Sequence, residues 1–308
     1  MAFWKKKKEE QEKETVLQQD LSKKDETKGL VFTMVLLFEE AVPIPEKEKM
    51  TEIFSRHLGG AECFSYDREK MAAFTLQSYT GEVKEGRMPV SLLTTGCIPL
   101  KEDMFDRFTR SQFWHCKNRN EILDSCKYQL IATDFLAATL EYKQRAEMEM
   151  KYLYALMEAY PECKAVYFTN SGTMFSREDI LAYDGDEEYK FIHFGVNIRF
   201  FRIQGTEDFI VDTTGMAPLF LPDLQYHFHN IKPDWGDKPR VESAVLYILQ
   251  RRCDKRRRYH RRYYRRAYGY EYPMEMQLRR SAYTACTPCA GYKYGRICQR
   301  KEKQLKRR

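Results

Sequence analysis

Residues 31–38 read VFTMVLLF, apolar at every position but Thr33, a strand-sized run. Pro43-Ile44-Pro45 closes that extended segment, and Pro45 suits a first helical turn, where its missing N–H leaves no bond unmade. Met50, Ile53, Phe54 and Leu58 recur at helical spacing, and Gly59-Gly60 stops the helix. Three strands are predicted next, over 61–66, 71–79 and about 90–97. The order strand, helix, strand, strand, strand points to an α+β fold, a mainly antiparallel sheet with helices packed on it.

Farther along, the pattern predicts a helix over 104–113, a short one over 120–126 and a strand over 128–133 (YQLIAT). The strongest helical period spans 136–160. There Ala146, Met150, Leu153, Met157 and Tyr160 trace one apolar face, while Glu141, Lys143, Arg145, Glu149 and Lys151 fall largely outside it. A strand follows over 165–169, and Ser176 stands in a capping position before Arg177-Glu178-Asp179. Residues 191–229 (FIHFGVNIRFFRIQGTEDFIVDTTGMAPLFLPDLQYHFH) form the longest apolar and aromatic stretch. Phe194, Val196, Ile198 and Phe200 alternate with Asn197 and Arg199, and Phe201 and Ile203 fill the other face, as in an inner strand. Gln204-Gly205 supplies a turn, 209–212 the returning strand of a hairpin, and 239–249 a last helix. The element order β-α-β-β recurs in the two halves, as two fused ferredoxin-like lobes sharing a sheet would show.

Charge changes this picture at the far end. Of the chain's 52 Lys and Arg, 20 fall after Gln250, against 4 of its 45 Asp and Glu, a balance of +16. The preceding part keeps 32 basic and 41 acidic side chains, a balance of −9, so one isoelectric point averages two unlike segments. The expected organisation is a charged flexible leader over 1–29, an α+β domain over 30–250 and a disordered Arg/Tyr-rich tail over 251–308. Phe3 and Trp4 ahead of four lysines resemble a weak membrane-contact motif, but a solvated start is the expected role. No apolar run approaches the ~20 residues of a membrane span, and MAFWKKKK lacks the layout of a signal peptide. The expectation is a cytoplasmic protein without a transmembrane segment. Of nine cysteines, Cys63, Cys97, Cys116, Cys126 and Cys163 mostly lie in or beside apolar segments, where reduced, buried thiols are expected.

The best candidate for a site is the polar set inside the 191–229 stretch: Asn197, Arg199, Asp212, Asp223, His227 and His229, with Thr213 and Thr214. Buried polar groups must find partners. His227 and His229 are two apart, so on a strand they share a face and can reach one cation, with Asp212 or Asp223 as an oxygen ligand. Against this, the imidazoles have Tyr226 and Phe228 to stack beside, and spacing fixes no third ligand. No cofactor is therefore the leading expectation, and zinc the alternative. Thr169-Asn170-Ser171-Gly172, between a strand and a predicted helix, offers either an anion-binding turn or, with more weight, ordinary turn chemistry. Asp134 ends a strand as a catalytic acid or, more ordinarily, as a cap or a partner for Lys143 or Arg145. Trp114-His115-Cys116 sets a thiol beside an imidazole in sequence, which does not bring them together in space.

Several strings together carry a resemblance. Residues 128–134 run on into Phe135-Leu136-Ala137-Ala138 and then Glu141-Tyr142-Lys143-Gln144-Arg145-Ala146-Glu147. They are followed by 165–175 (AVYFTNSGTMF), 197–206 (NIRFFRIQGT), and 211–229, which contains Leu221-Pro222-Asp223-Leu224-Gln225-Tyr226-His227-Phe228-His229. In this order they resemble the bacterial domain-of-unknown-function family numbered 4261, over roughly 31–249. The resemblance implies an intracellular α+β domain and carries over no catalytic residues.

The tail departs from that family. RRCDKRRRYHRRYYRRAYGYEY alternates arginine with tyrosine. One reading is an RNA-binding arm, with Arg256, Arg257, Arg258, Arg261, Arg262, Arg265 and Arg266 on phosphates and tyrosines stacked on bases. A variant makes Cys286, Cys289 and Cys298 a zinc site with His260 or Cys253 as a distant fourth ligand. The third reading is translation out of frame. Arginine codons beginning CG, read one base later, begin with G and give Gly, Asp, Glu, Ala or Val. Tyrosine codons likewise become Ile, Met or Thr.

Three functions compete: a non-catalytic interaction or housekeeping domain with an unknown protein partner, a metal-dependent hydrolase using Asp212, Asp223, His227 and His229, and nonspecific RNA binding through the tail. Sequencing the gene across codon 250 tests the frame. An open shifted frame is expected, and stop codons in it before residue 308 sink that reading.

Overall fold

The computed structural model describes residues 31–83, 86–202, 209–221, 223–228 and 275–279. The leader, Gln204-Gly205, His229, the helix expected over 239–249, the tail arginines Arg256 to Arg266 and the tail cysteines lie outside them. In chain order the elements are β1 (Thr33–Phe38), α1 (Lys47–Leu58), β2 (Ala61–Asp67), β3 (Met71–Val83), β4 (Gly86–Thr95) and β5 (Ile98–Pro99). Next come α2 (Arg107–Ser111), α3 (Arg119–Ser125), β6 (Tyr128–Phe135), α4 (Tyr142–Ala159), β7 (Ala165–Phe168), β8 (Thr173–Ser176), α5 (Arg177–Leu181) and α6 (Glu187–Gly195). Four strands follow: β9 (Asn197–Arg202), β10 (Phe209–Thr214), β11 (Asp223–Phe228) and β12 (Glu275–Arg279). This is the α+β architecture expected, with helices packed on a large antiparallel sheet.

That sheet runs β2-β3-β4-β6-β1-β7-β8, with β5 also paired to β6. The two β-α-β-β halves interlock in it. Strands β1 and β6 lie side by side, antiparallel, with Leu36 opposite Leu130. The β2-β3-β4 meander that follows β1 lies beyond β6, and the β7-β8 hairpin that follows β6 lies beyond β1. The inner order β7-β1-β6-β4, with α1 and α4 carrying the crossovers, is the split β-α-β arrangement.

The unbroken apolar character of β1 follows from its place at the centre. Met34, Leu36 and Phe38 join the core that contains α1 and α4. Val35 and Leu37 face the other way, into a second core with Phe105, Phe113, Ile122 and Leu123 from the segment carrying α2 and α3. Each such buried side chain contributes about 1.5–3 kcal/mol. Helix α1 buries Met50, Ile53, Phe54 and Leu58 and ends at Gly59, whose φ of 75° is left-handed backbone. The Phe54 ring sits 4.7 Å from Phe74 and 5.6 Å from Tyr152 of α4, so sheet and helices meet in one aromatic contact.

Five expectations are corrected. The helix expected from 136 begins at Tyr142: Leu136 takes φ 66°, a 3-10 turn occupies Ala137–Thr139, and the Glu141 carboxylate accepts the Lys143 and Gln144 N–H groups as a cap. Arg145 and Glu149, expected outside its apolar face, are buried, because α4 is covered on more than one side. Phe194, expected on the alternating strand, lies instead in helix α6, with Phe191, Ile192 and Phe194 buried at helical spacing. Among the described residues, strand β9 is the edge of the second sheet, order β12-β11-β10-β9, and not an inner strand. The tail, expected to stay outside any sheet, supplies the opposite edge, with Leu278 opposite Leu224.

Among the described residues no helix is long and apolar enough to cross a membrane. Truncation of Leu36 to Ala is expected to cost about 3 kcal/mol, measured as a lower urea midpoint at unchanged slope. Phe135→Ala, at the exposed end of β6, is expected to stay within about 0.5 kcal/mol of the parent.

Candidate functional site

Two buried ionic clusters meet at the turn between β10 and β11, where a 3-10 segment, Ala217–Leu219, packs against α4. The first is built by strand register. Arg199 of β9 lies directly opposite Asp212 of β10, the arrangement that lets cross-strand side chains pair. Arg199 Nε donates to Asp212 Oδ1 at 2.9 Å and Nη2 to Oδ2 at 2.7 Å, a two-pronged grip on one carboxylate. Both side chains are largely shielded from water.

Asp223 opens β11 and is 2% exposed. Its Oδ1 accepts the Thr213 hydroxyl at 3.2 Å and the Met216 N–H at 3.3 Å. The Thr213 oxygen in turn accepts the Leu224 N–H at 2.8 Å, which ties the start of β11 to β10. Burial pushes the Asp223 carboxyl up to about 7, and nearby Asp212 pushes the same way.

Asn197 belongs to a different contact. Its Oδ1 accepts the Trp114 indole N–H at 3.2 Å, and its Nδ2 donates to the Gly172 carbonyl at 3.3 Å. The Thr169-Asn170-Ser171-Gly172 segment joins β7 to β8, so it precedes a strand rather than the expected helix. Its polar atoms bond to the protein: Asn170 accepts the Thr33 N–H and donates to the Val31 carbonyl, and Thr214 donates to the Ser171 carbonyl. These bonds hold the turn between β7 and β8 to β1 and β10.

Of the six residues singled out in sequence, Arg199, Asp212 and Asp223 come together and Asn197 serves the neighbouring turn. The backbone of His227 pairs with Ile210 and Glu275, and His229 lies outside the described residues. Among the described residues no group of three His, Cys, Asp or Glu side chains is placed to hold a metal ion.

The second cluster was only partly legible. Asp134, at the end of β6, accepts the Phe32 N–H at 2.7 Å on Oδ1 and takes Arg145 Nε at 2.9 Å and Nη2 at 2.5 Å on Oδ2. Arg145 Nη1 donates to the Pro218 carbonyl in the 217–219 turn. One helical turn onward, Glu149 Oε1 lies 3.8 Å from Arg145 Nε, beyond hydrogen-bond reach. Burial, reinforced by Asp134, raises the Glu149 carboxyl well above the usual carboxylate range. Asp134 with Arg145 was among the pairings weighed in sequence. Glu149 was missed, although its i,i+4 spacing from Arg145 is the signal that points to it.

Other candidate chemistry is inert. Burial holds the Cys116 and Cys126 thiols at about 11 and Cys163 at about 12, so none is a ready thiolate at neutral pH. A depression of about 410 Å³ is lined by Arg107, Arg110, Ser111, Arg119 and Asn120. Arg110 there is already bonded to Asp124 and to the Phe105 carbonyl. No family model, no curated protein and no solved structure matches this chain.

Arg199→Ala is expected to destabilise the fold by about 3 kcal/mol, because it strands the Asp212 charge in the interior. Replacing both, Arg199→Met with Asp212→Leu, is expected to recover most of that loss in denaturant unfolding.

Proposed function

We propose that this chain is a non-catalytic interaction domain of the cytoplasm and a member of the bacterial family numbered 4261 that its strings resemble. One observation carries the functional reading. The acidic groups from which a hydrolase would be built are engaged in holding the fold: both Asp212 oxygens by Arg199, and Asp223 by Thr213 and Met216. A guanidinium gripping a carboxylate competes directly with a cation for the same oxygens. The buried reduced thiols support a reducing compartment. The family reading is supported by where its strings fall, on β6 and α4, on β7 and β8, and on β9 to β11.

Binding surface is available on the sheet. Phe64, at the bulge where β2 slips against β3, is 62% exposed, and Phe135 is 60% exposed. Metal analysis of tag-free protein tests the claim. No stoichiometric cation is expected, and one cation per chain, lost in His227→Ala, would overturn it in favour of the hydrolase using Asp212, Asp223, His227 and His229.

The charge of the tail favours a second activity, nonspecific RNA binding. Changing Arg256, Arg257, Arg258, Arg261, Arg262, Arg265 and Arg266 to Gln leaves Glu275–Arg279 in place. Filter binding is expected to weaken at least tenfold, with a shallower salt dependence in the variant. Unchanged binding would remove the tail from the account.

A further inference from the structure

We propose that Glu149 acts as a proton-controlled latch, its ionisation drawing Arg145 away from the Pro218 carbonyl and loosening the turn between β10 and β11. The geometry supplies the parts. Glu149 is fully buried, neither of its oxygens is hydrogen-bonded to the Arg145 guanidinium, and the Asp134 carboxyl is its side-chain neighbour. Arg145 is shared between Asp134 and Pro218, and so spans the large sheet, α4 and the second sheet's turn. Two carboxyls face one guanidinium. With Glu149 protonated, the Asp134–Arg145 pair is balanced and the Arg145 Nη1 donor is left for Pro218. With Glu149 charged, a second anion 3.8 Å from Arg145 Nε competes for that guanidinium in a low-dielectric setting.

The charged and titratable groups around α4 are few. Asp134 faces Glu149 from β6, and Arg145 and Tyr152 flank it on its own helix. From α1, Arg56 and His57 engage Glu158 near the other end of α4. From β3, Tyr79 meets Lys151, which is paired with Glu147. From α5, Arg177 donates to the Met157 and Tyr160 carbonyls, and from α6, Lys190 lies over the Tyr154 ring. The 217–219 turn presents the Pro218 carbonyl. No second cation beside Arg145 is on hand to neutralise an ionised Glu149 among these described groups.

The sign follows. An unfolded chain releases this proton near pH 4.3, whereas burial and Asp134 hold it on in the fold. The contribution is fully present below the unfolded value. It is lost as pH rises toward the folded one, by about a factor of ten in the folding equilibrium per pH unit.

Two measurements test this. Carbon-13 NMR of the Glu149 carboxyl in the full chain is expected to show no titration between pH 4 and 6. Titration at the ordinary carboxylate pH overturns the proposal and needs no variant. Hydrogen exchange then follows the Leu219, Phe220 and Leu221 amides, which close the turn onto Met216 and Ala217. In the parent their protection is expected to fall at least tenfold as pH rises through the Glu149 transition, after correction for intrinsic exchange. In Glu149→Gln it is expected to stay level. Equal pH dependence in both proteins overturns the latch.

Discussion

One charge in the interior constrains the rest of this molecule. Arg145 is 2% exposed, and a guanidinium cannot shed its proton to escape that setting. It must be paired, and the partners come from everywhere at once: Asp134 from β6, itself held by the Phe32 N–H ahead of β1, and Pro218 from the second sheet's turn. Removing one member of such a buried pair costs about 3–5 kcal/mol, far more than the pair itself contributes over an apolar filling. The pair ties sheet, helix and turn together. The Glu149 acid is the cost of placing two carboxyls beside one cation.

The same logic recurs a few residues away. Arg199 closes on Asp212 across two strands, and Asp223 is left to the weaker donors Thr213 and Met216. Burial pushes the Asp223 carboxyl up to about 7, and the Thr213 and Met216 donors offset it only in part. Polar groups dense enough to suggest an active site thus serve as fasteners of the β9-β10-β11 sheet. Phe64 and Phe135 are exposed on the sheet, and the strongest charge lies in the tail.

Where local pattern and final environment agree, the elements were legible in the residues. VFTMVLLF is apolar on both faces because β1 is buried on both, and Met50, Ile53, Phe54 and Leu58 make one stripe because α1 covers one core. The misreadings share a cause. Phe191, Ile192 and Phe194 are compatible with strand or helix periods when taken with Val196 and Ile198, and packing against Phe32, Phe168 and Phe175 selects the helix. Arg145 and Glu149 look like a solvated face until the second sheet's turn is laid over α4.

The residues on their own decided most element types, the antiparallel α+β class and the split between acidic body and basic tail, since these depend on neighbours one to four positions apart. Tertiary structure alone decided that β1 and β6 lie side by side, that Glu275–Arg279 joins β11, and which carboxylates meet which arginine. Those contacts join positions from about ten to about a hundred residues apart. No local period records a pairing set by where the sheet and its covering layers close.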